Sequence, residues 1–406
     1  MVLFASFQMF SKTLIVCDSC EYKTIKSALE AAQDGDTILV KEGIYKEANI
    51  KVTKSVSIIG EGMPVIDGNE EGEIITIGAD NVTIDGFFIK NVGFSYTTEY
   101  AAVRVVNSKG FTIQNLELEK LFFGIYLQRA SHGKVLNNRV LGEAVTEFNS
   151  GNGIHLWHCD FVEVRGNDVR NVRDGIYLEF SSNITIEENY TLNSVRYGLH
   201  FMFSHDNKVR NNVFETNGAG IALMFSKDME VNNNVIKKNW GTASYGILLK
   251  EINDAKIINN EFRENTIAIT VEGSNRIEYL HNDFISNGYA LRMRGASYDC
   301  KIMNNNFLYN SFDLSYNGPM NRNVFDGNYW SDYTGYDLDK DGIGDVPYRP
   351  IKLFSYIVNR NAQAIILLRS LFIDIIDFSE KVSPIFTPDN LVDKNPKMKR
   401  IAHDKN

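Results

Sequence analysis

The chain has 406 residues, is 44% hydrophobic, and sets 51 acidic against 42 basic side chains for a formal net charge of −9. That balance excludes the basic stripe by which nucleic-acid binders are read, and no stretch reaches the ~18 charge-free apolar residues of a membrane span. The apolar content is enough to fill a large core.

Met1 to Lys12 has the apolar character of a secretory leader without its basic start, so residues 1–20 are set apart as a leader-like segment. Cys17-Asp-Ser-Cys20 is a lone C-x-x-C, open to a disulfide, a metal pair or two spare thiols. Thr24 to Gln33 has the spacing of a short amphipathic helix closed by Asp34-Gly35. It is the expected N-terminal cap of the main domain.

An asparagine then recurs nine times in one phase: Asn138, Asn167, Asn189, Asn212, Asn234, Asn260, Asn282, Asn305 and Asn328, each three residues after an apolar position. A fixed step of this size marks a solenoid, whose units bury their apolar faces only by stacking. The segments between are short, β-branched and bounded by Gly, Asn or Asp, with no room for crossover helices. The expected fold is therefore all-β: a right-handed parallel β-helix over residues 21–350, with rungs about 4.8 Å apart and the nine asparagines stacked as a structural ladder at a corner where Asn tolerates the left-handed conformation. Cys159 and Cys300 fall about six rungs apart, beyond the reach of a disulfide, and read as unpaired thiols.

Glycine-led runs keep the same step, from Gly153-Ile-His-Leu to Gly246-Ile-Leu-Leu. Strand alternation turns Ile154, Leu156, Ile176, Leu178, Leu199, Phe201, Ile221 and Leu223 inward. Two outward columns remain: His155, Tyr177, His200, Ala222, Leu248, and Trp157, Glu179, Met202, Met224, Lys250. Met202 and Met224 on adjacent rungs, with His200 two residues away on the same exposed face, make a soft thioether–imidazole set suited to cuprous copper. The same residues also read as an apolar patch that packs on a partner or on the tail, with His200 as its polar rim. His158 and His205 lie nearer coil ends, and His132, His281 and His403 read as isolated surface residues.

Further on, Asp337, Asp339, Asp341 and Asp345, with Gly342 at the sixth position, follow a calcium-loop spacing whose closing Glu is replaced by Tyr348. Either a weak calcium site, completed by Asp332 or another residue, or a self-bonded Asp/Gly turn fits. After Pro350 the pattern becomes helical, giving a tail over 351–406. Its apolar residues Ile365, Leu368, Leu371, Phe372, Ile375 and Ile376 are too few to span a bilayer and should pack on the rod or on another protein.

Three stretches together resemble the NosD family of nitrous-oxide-reductase maturation proteins: Gly198-Leu-His-Phe-Met-Phe-Ser-His205, Gly220-Ile-Ala-Leu-Met-Phe-Ser226, and Gly327 to Tyr336 running through the Asp-rich loop to Pro350. The Ser383 to Pro388 segment of the tail adds to the likeness. The resemblance spans nearly the whole chain. It implies a periplasmic, non-enzymatic accessory protein of denitrification that works with an ABC-type permease and ATPase and a copper chaperone on the copper sites of nitrous oxide reductase. It also implies membrane association through the permease, with copper passing transiently as Cu(I). The alternative on the same fold is a polysaccharide lyase, glycoside hydrolase or epimerase. Such an enzyme needs paired carboxylates, or a base beside a cation, and the outward columns carry only Glu179.

Overall fold

A computed structural model describes residues 11–403 except 149, 242–243, 318–321, 353, 355–356, 359–360, 369 and 383–390. Leader-like residues 1–10 and the Ser383 to Pro388 motif lie outside that set. The fold is a right-handed parallel β-helix, and the chain divides into two compact units, Met1–Thr185 and Ile186–Asn406.

In each unit a turn consists of three short strands, one in each of three parallel sheets. Most strands are three residues long with the middle side chain buried, as in Thr83–Asp85, Thr112–Gln114 and Lys134–Leu136. Ile84, Ile113 and Val135 at their centres are in register, so one β-branched residue per strand builds a continuous column of core. Longer strands form the glycine-led runs and, in the second unit, also Lys227–Asn232, Asn253–Ile258 and Asn275–Leu280. In the second unit Leu199 and Phe201 align with Ile221 and Leu223, and these with Ile247 and Leu249, all buried. Gly198 and Gly220 stay glycine for a steric reason: a Cβ on either would lie under 3 Å from a carbonyl oxygen of the next turn.

The predicted helix forms as Ile25–Ala31 and is fixed at both ends by the first coils. Thr24 caps it through Ser27, and the buried Glu47 accepts from the amides of Ile25 and Lys26 at 2.7 and 3.1 Å. Lys54 donates to the carbonyls of Leu29, Glu30 and Ala32. Negative charge at the start and positive charge at the end match the helix dipole.

The asparagine ladder forms. In the first unit Asn138 donates to Asn167 at 2.9 Å; in the second, an unbroken series runs from Asn189 through Asn212, Asn234, Asn260, Asn282 and Asn305 to Asn328 at 2.9–3.1 Å. One expectation is corrected. The left-handed residue at each corner is the one before the ladder asparagine, such as Asn137, Asn211, Asn233 or Asn304. That residue turns the chain, and the turn aims the next side chain into the interior, where its amide also satisfies backbone carbonyls.

A second ladder lies beside the first in the second unit. Asn217, Asn239, Asn265 and Asn287 each donate a backbone amide to the carboxamide of the next member, ending at Asn310, at 2.9–3.1 Å. On successive strands of one sheet, Phe262, Phe284, Phe307 and Trp330 stack inside the coils with centroids 5.1, 4.9 and 4.1 Å apart.

Beyond the last coil the chain leaves and comes back. Phe354, Val358 and Ile373 pack on Ile267, Tyr289 and Phe312, the first residues of three registered strands. Residues 391–403 then return across the final coils, bridging Phe325 at Asp393 and Tyr329 at Lys397. Asp393 is fully buried and accepts from the amides of Gly327 and Asn328, the carboxamide of Asn328 and the indole of Trp330 at 2.9–3.2 Å. One carboxylate from the returning strap therefore closes both the first ladder and the aromatic stack.

Candidate functional site

Met202 and Met224 end two registered parallel strands, Tyr197–Met202 and Ala219–Met224, and are direct cross-strand partners. Both are half-buried on the outer side of their sheet, where parallel pairing brings the thioethers side by side. Two residues earlier, His200 pairs with Ala222. Here the expectation of an exposed imidazole fails: His200 is only 5% exposed, with its ring 4.7 Å from that of Tyr197. In register with Ala222 and flanked by the Tyr197 ring, it is buried two residues before the methionine pair. Next to each methionine, at a left-handed corner, stands a phenylalanine, and Phe203 and Phe225 stack at 5.1 Å. A bulky side chain in that conformation, partly open to solvent, costs backbone strain that core packing does not offset.

The other histidines separate by environment. His155 is sandwiched between Tyr126 and Tyr177 at 4.4 and 4.7 Å. His158 stacks on Phe180. His205 accepts the Lys227 amide on Nδ1 at 3.2 Å, so in its neutral form Nε2 carries the hydrogen and offers no lone pair to a metal. His403 and His281 are not isolated surface residues: their rings meet edge to face at 5.6 Å, and His403 is almost wholly enclosed. Cys17 and Cys20 form a disulfide, while Cys159 and Cys300 are buried free thiols. Burial pushes their thiols up, to about 12 and about 11, which removes both as ready thiolate ligands.

Carboxylate oxygens of Asp337, Asp339 and Asp341 lie within 4.8 Å of one another on an exposed loop, and Gly342 takes the left-handed turn that the spacing requires. The same carboxylates also bond their own loop. Asp337 accepts from the amides of Asp341 and Gly342, Asp341 from Ile343, and Asp345 from Leu338. Asp332 is taken by Lys352 at 2.6 Å, and Tyr348 is held through its backbone by Asp393.

In the tail, Ile365, Leu371, Phe372 and Ile375 are exposed, as partner docking requires, and so are Ile366, Leu367 and Phe378. Leu368 and Ile376 are corrected: they pack against Phe354, Val358 and Ile373 in the chain's own cluster, because this short helical segment needs one apolar face to hold itself on the coils.

Residues 136–335 match the family model described as "Periplasmic copper-binding protein (NosD)". A relative from Pseudomonas aeruginosa, named "Probable ABC transporter binding protein NosD", is 30% identical and covers 87% of this chain and 86% of its own. One of the same name from Stutzerimonas stutzeri is 28% identical over 82% and 80%. Among solved structures, a PL6 alginate lyase superposes with a TM-score of 0.60 over 79% of this chain and 85% of its own, at 15% identity, a likeness of fold alone.

Proposed function

Because the chain belongs to the NosD family of periplasmic copper-binding proteins, we propose that it is a non-enzymatic accessory protein that assists copper-site assembly in nitrous oxide reductase. It works with an ABC-type permease and ATPase and takes part in a relay with a copper chaperone. Copper is the cargo, passing as Cu(I) over Met202, Met224 and His200.

The observation that supports this reading is the register that makes Met202 and Met224 direct neighbours on the outer side of their sheet. Two neutral thioethers and a buried imidazole form a soft donor set without a thiolate, suited to release as much as to capture. The exposed apolar residues of the tail, Ile365, Leu371, Phe372 and Ile375, serve the permease, which associates the protein with the membrane. The Asp337–Asp345 loop takes calcium weakly, since its carboxylates must give up bonds to their own backbone. A melting temperature that is the same in chelator and in millimolar calcium would leave that loop a self-bonded turn.

Copper binding is tested by anaerobic cuprous titration against a competing chelator. The Met202→Leu/Met224→Leu protein should fold normally and lose the metal. Full loading of the reductase by that variant in cells at limiting copper would make the methionines a docking patch and no relay.

A further inference from the structure

The outward column that carries His200, Ala222 and Leu248 continues over the next strands as Thr270, Arg292 and Ser315, all in register. Strand alternation sets these side chains opposite the core residues Ile269, Leu291 and Leu314. Arg292 is half-buried, with its guanidinium 5.1 Å from the centre of the Tyr289 ring. That ring belongs to the cluster on which the tail packs.

Among the described residues no hydrogen bond or ion pair takes the Arg292 guanidinium. Burial, with the like charge of Arg294 alongside, lowers the Arg292 pKa from its usual value. Thr270, its registered neighbour, is 1% exposed, and its hydroxyl has no hydrogen-bond partner either. A cation drawn partly out of water without an anion and a buried hydroxyl without a partner both cost free energy. Elsewhere in this unit, guanidiniums that are more open to solvent are paired: Arg263 with Glu261, Arg276 with Asp254, and Arg322 with Asp299. Arg294 is exposed and stands opposite Glu272 in register, so the local excess of positive charge is that of Arg292.

We propose that Arg292 and Thr270 form a binding site for a carboxylate, carried by a small organic acid or by an acidic side chain. The planar fork of one guanidinium matches the two oxygens of a carboxylate, and the Thr270 hydroxyl adds a third donor from the neighbouring strand. Phosphate as a dianion calls for more positive charge than this site holds. Leu248, next to Thr270 in the column, and the Tyr289 ring supply an apolar wall for the carbon chain behind the carboxylate. Arg292 stands four strands along the sheet from His200, about 19 Å at a rung spacing of ~4.8 Å, and shares no donor with the copper site.

Ligand-observed saturation-transfer NMR on the full-length protein at constant ionic strength tests the site. Acetate is the free-acid probe, and an N-acetylated, C-amidated Leu-Asp-Leu peptide is the side-chain probe. Both should bind saturably in the millimolar range. Arg292→Gln should weaken binding about tenfold or more, Arg292→Lys nearly as much because the fork is lost, and Thr270→Val about threefold. Peptide binding about tenfold tighter than acetate assigns the carboxylate to a protein side chain, and equal binding assigns it to a free acid. Cuprous titration of Arg292→Gln should match wild type, which separates this site from the copper reading. A response that does not saturate, phosphate bound more tightly than acetate, or Arg292→Gln and Arg292→Lys proteins that bind as wild type does would each overturn the site.

Discussion

The two asparagine ladders of the second unit run side by side yet end in opposite ways. The first ends on Asp393, a carboxylate brought back from 65 residues downstream, which receives four donors from three residues of the coils besides the amide of Asn395. The second ends on Asp313, a local residue, whose buried carboxyl receives the Asn310 amide at 3.2 Å. Burial, with Asp332 nearby, pushes the Asp313 carboxyl up to about 7. A chain of amides polarised in one direction needs an acceptor at its end. An ionised carboxylate is a strong terminus where donors converge on it and a costly one where they do not, so in the second ladder the protonated acid takes its place.

The difference predicts unequal responses. Asp393→Ala strips the acceptor from four buried donors and should cost about 3 to 5 kcal/mol in urea unfolding, the largest effect expected of any single change here. Loss of less than about 1 kcal/mol would mean that the strap does not close the ladder.

Acidity should separate two buried carboxyls. Asp313 holds its proton in the folded state between about pH 4 and 7 while the unfolded chain has released it, so its contribution to stability falls as pH rises through that window, by roughly 2 to 4 kcal/mol in all. Asp313→Asn should flatten that part of the profile. Asp283 has the opposite sign: despite its burial, bonds from His403 and Asn306 and the charge of Arg400 lower its carboxyl to about 2, so its contribution is present above about pH 4 and is lost as pH falls toward 2. Unfolding curves of the two Asn variants across pH 2–8 should therefore diverge from wild type in different windows.

Interior positions should be more alike than the ends. Asn212→Leu in the first ladder and Asn265→Leu in the second each leave buried backbone groups unpaired and should cost roughly 1 to 3 kcal/mol. A clear gap between them would show that the terminus sets the strength of the whole column. The smallest effect belongs to Met202→Leu/Met224→Leu, a volume-conserving change on the outer side of the sheet, expected below about 1.5 kcal/mol in the same assay.

Local periodicity made most of the fold legible. A step of 22 or so residues implies stacked coils, and glycine at the head of a run implies close backbone approach, which the register of His200 with Ala222 and Met202 with Met224 bears out. The second ladder was readable too: Asn217, Asn239, Asn265, Asn287 and Asn310 each follow a first-ladder asparagine by five residues, a signal masked because it covers only part of the series. Burial of His200 was not readable, since strand alternation sets which side a residue faces and not what covers it there. Nor were Asp393 and His403, whose partners lie 63 to 120 residues away in the chain and share no repeat with them.

The helical segments that follow the last coil are anchored on both sides. Lys352 grips Asp332 where they depart, and Asp393 grips Gly327, Asn328 and Trp330 where the chain returns. A pull on the chain between those anchors therefore loads the terminal hydrogen bonds of the coil stack. On the proposed docking, a partner that holds Leu371 or Phe372 and moves would therefore pull on the final turn of the solenoid.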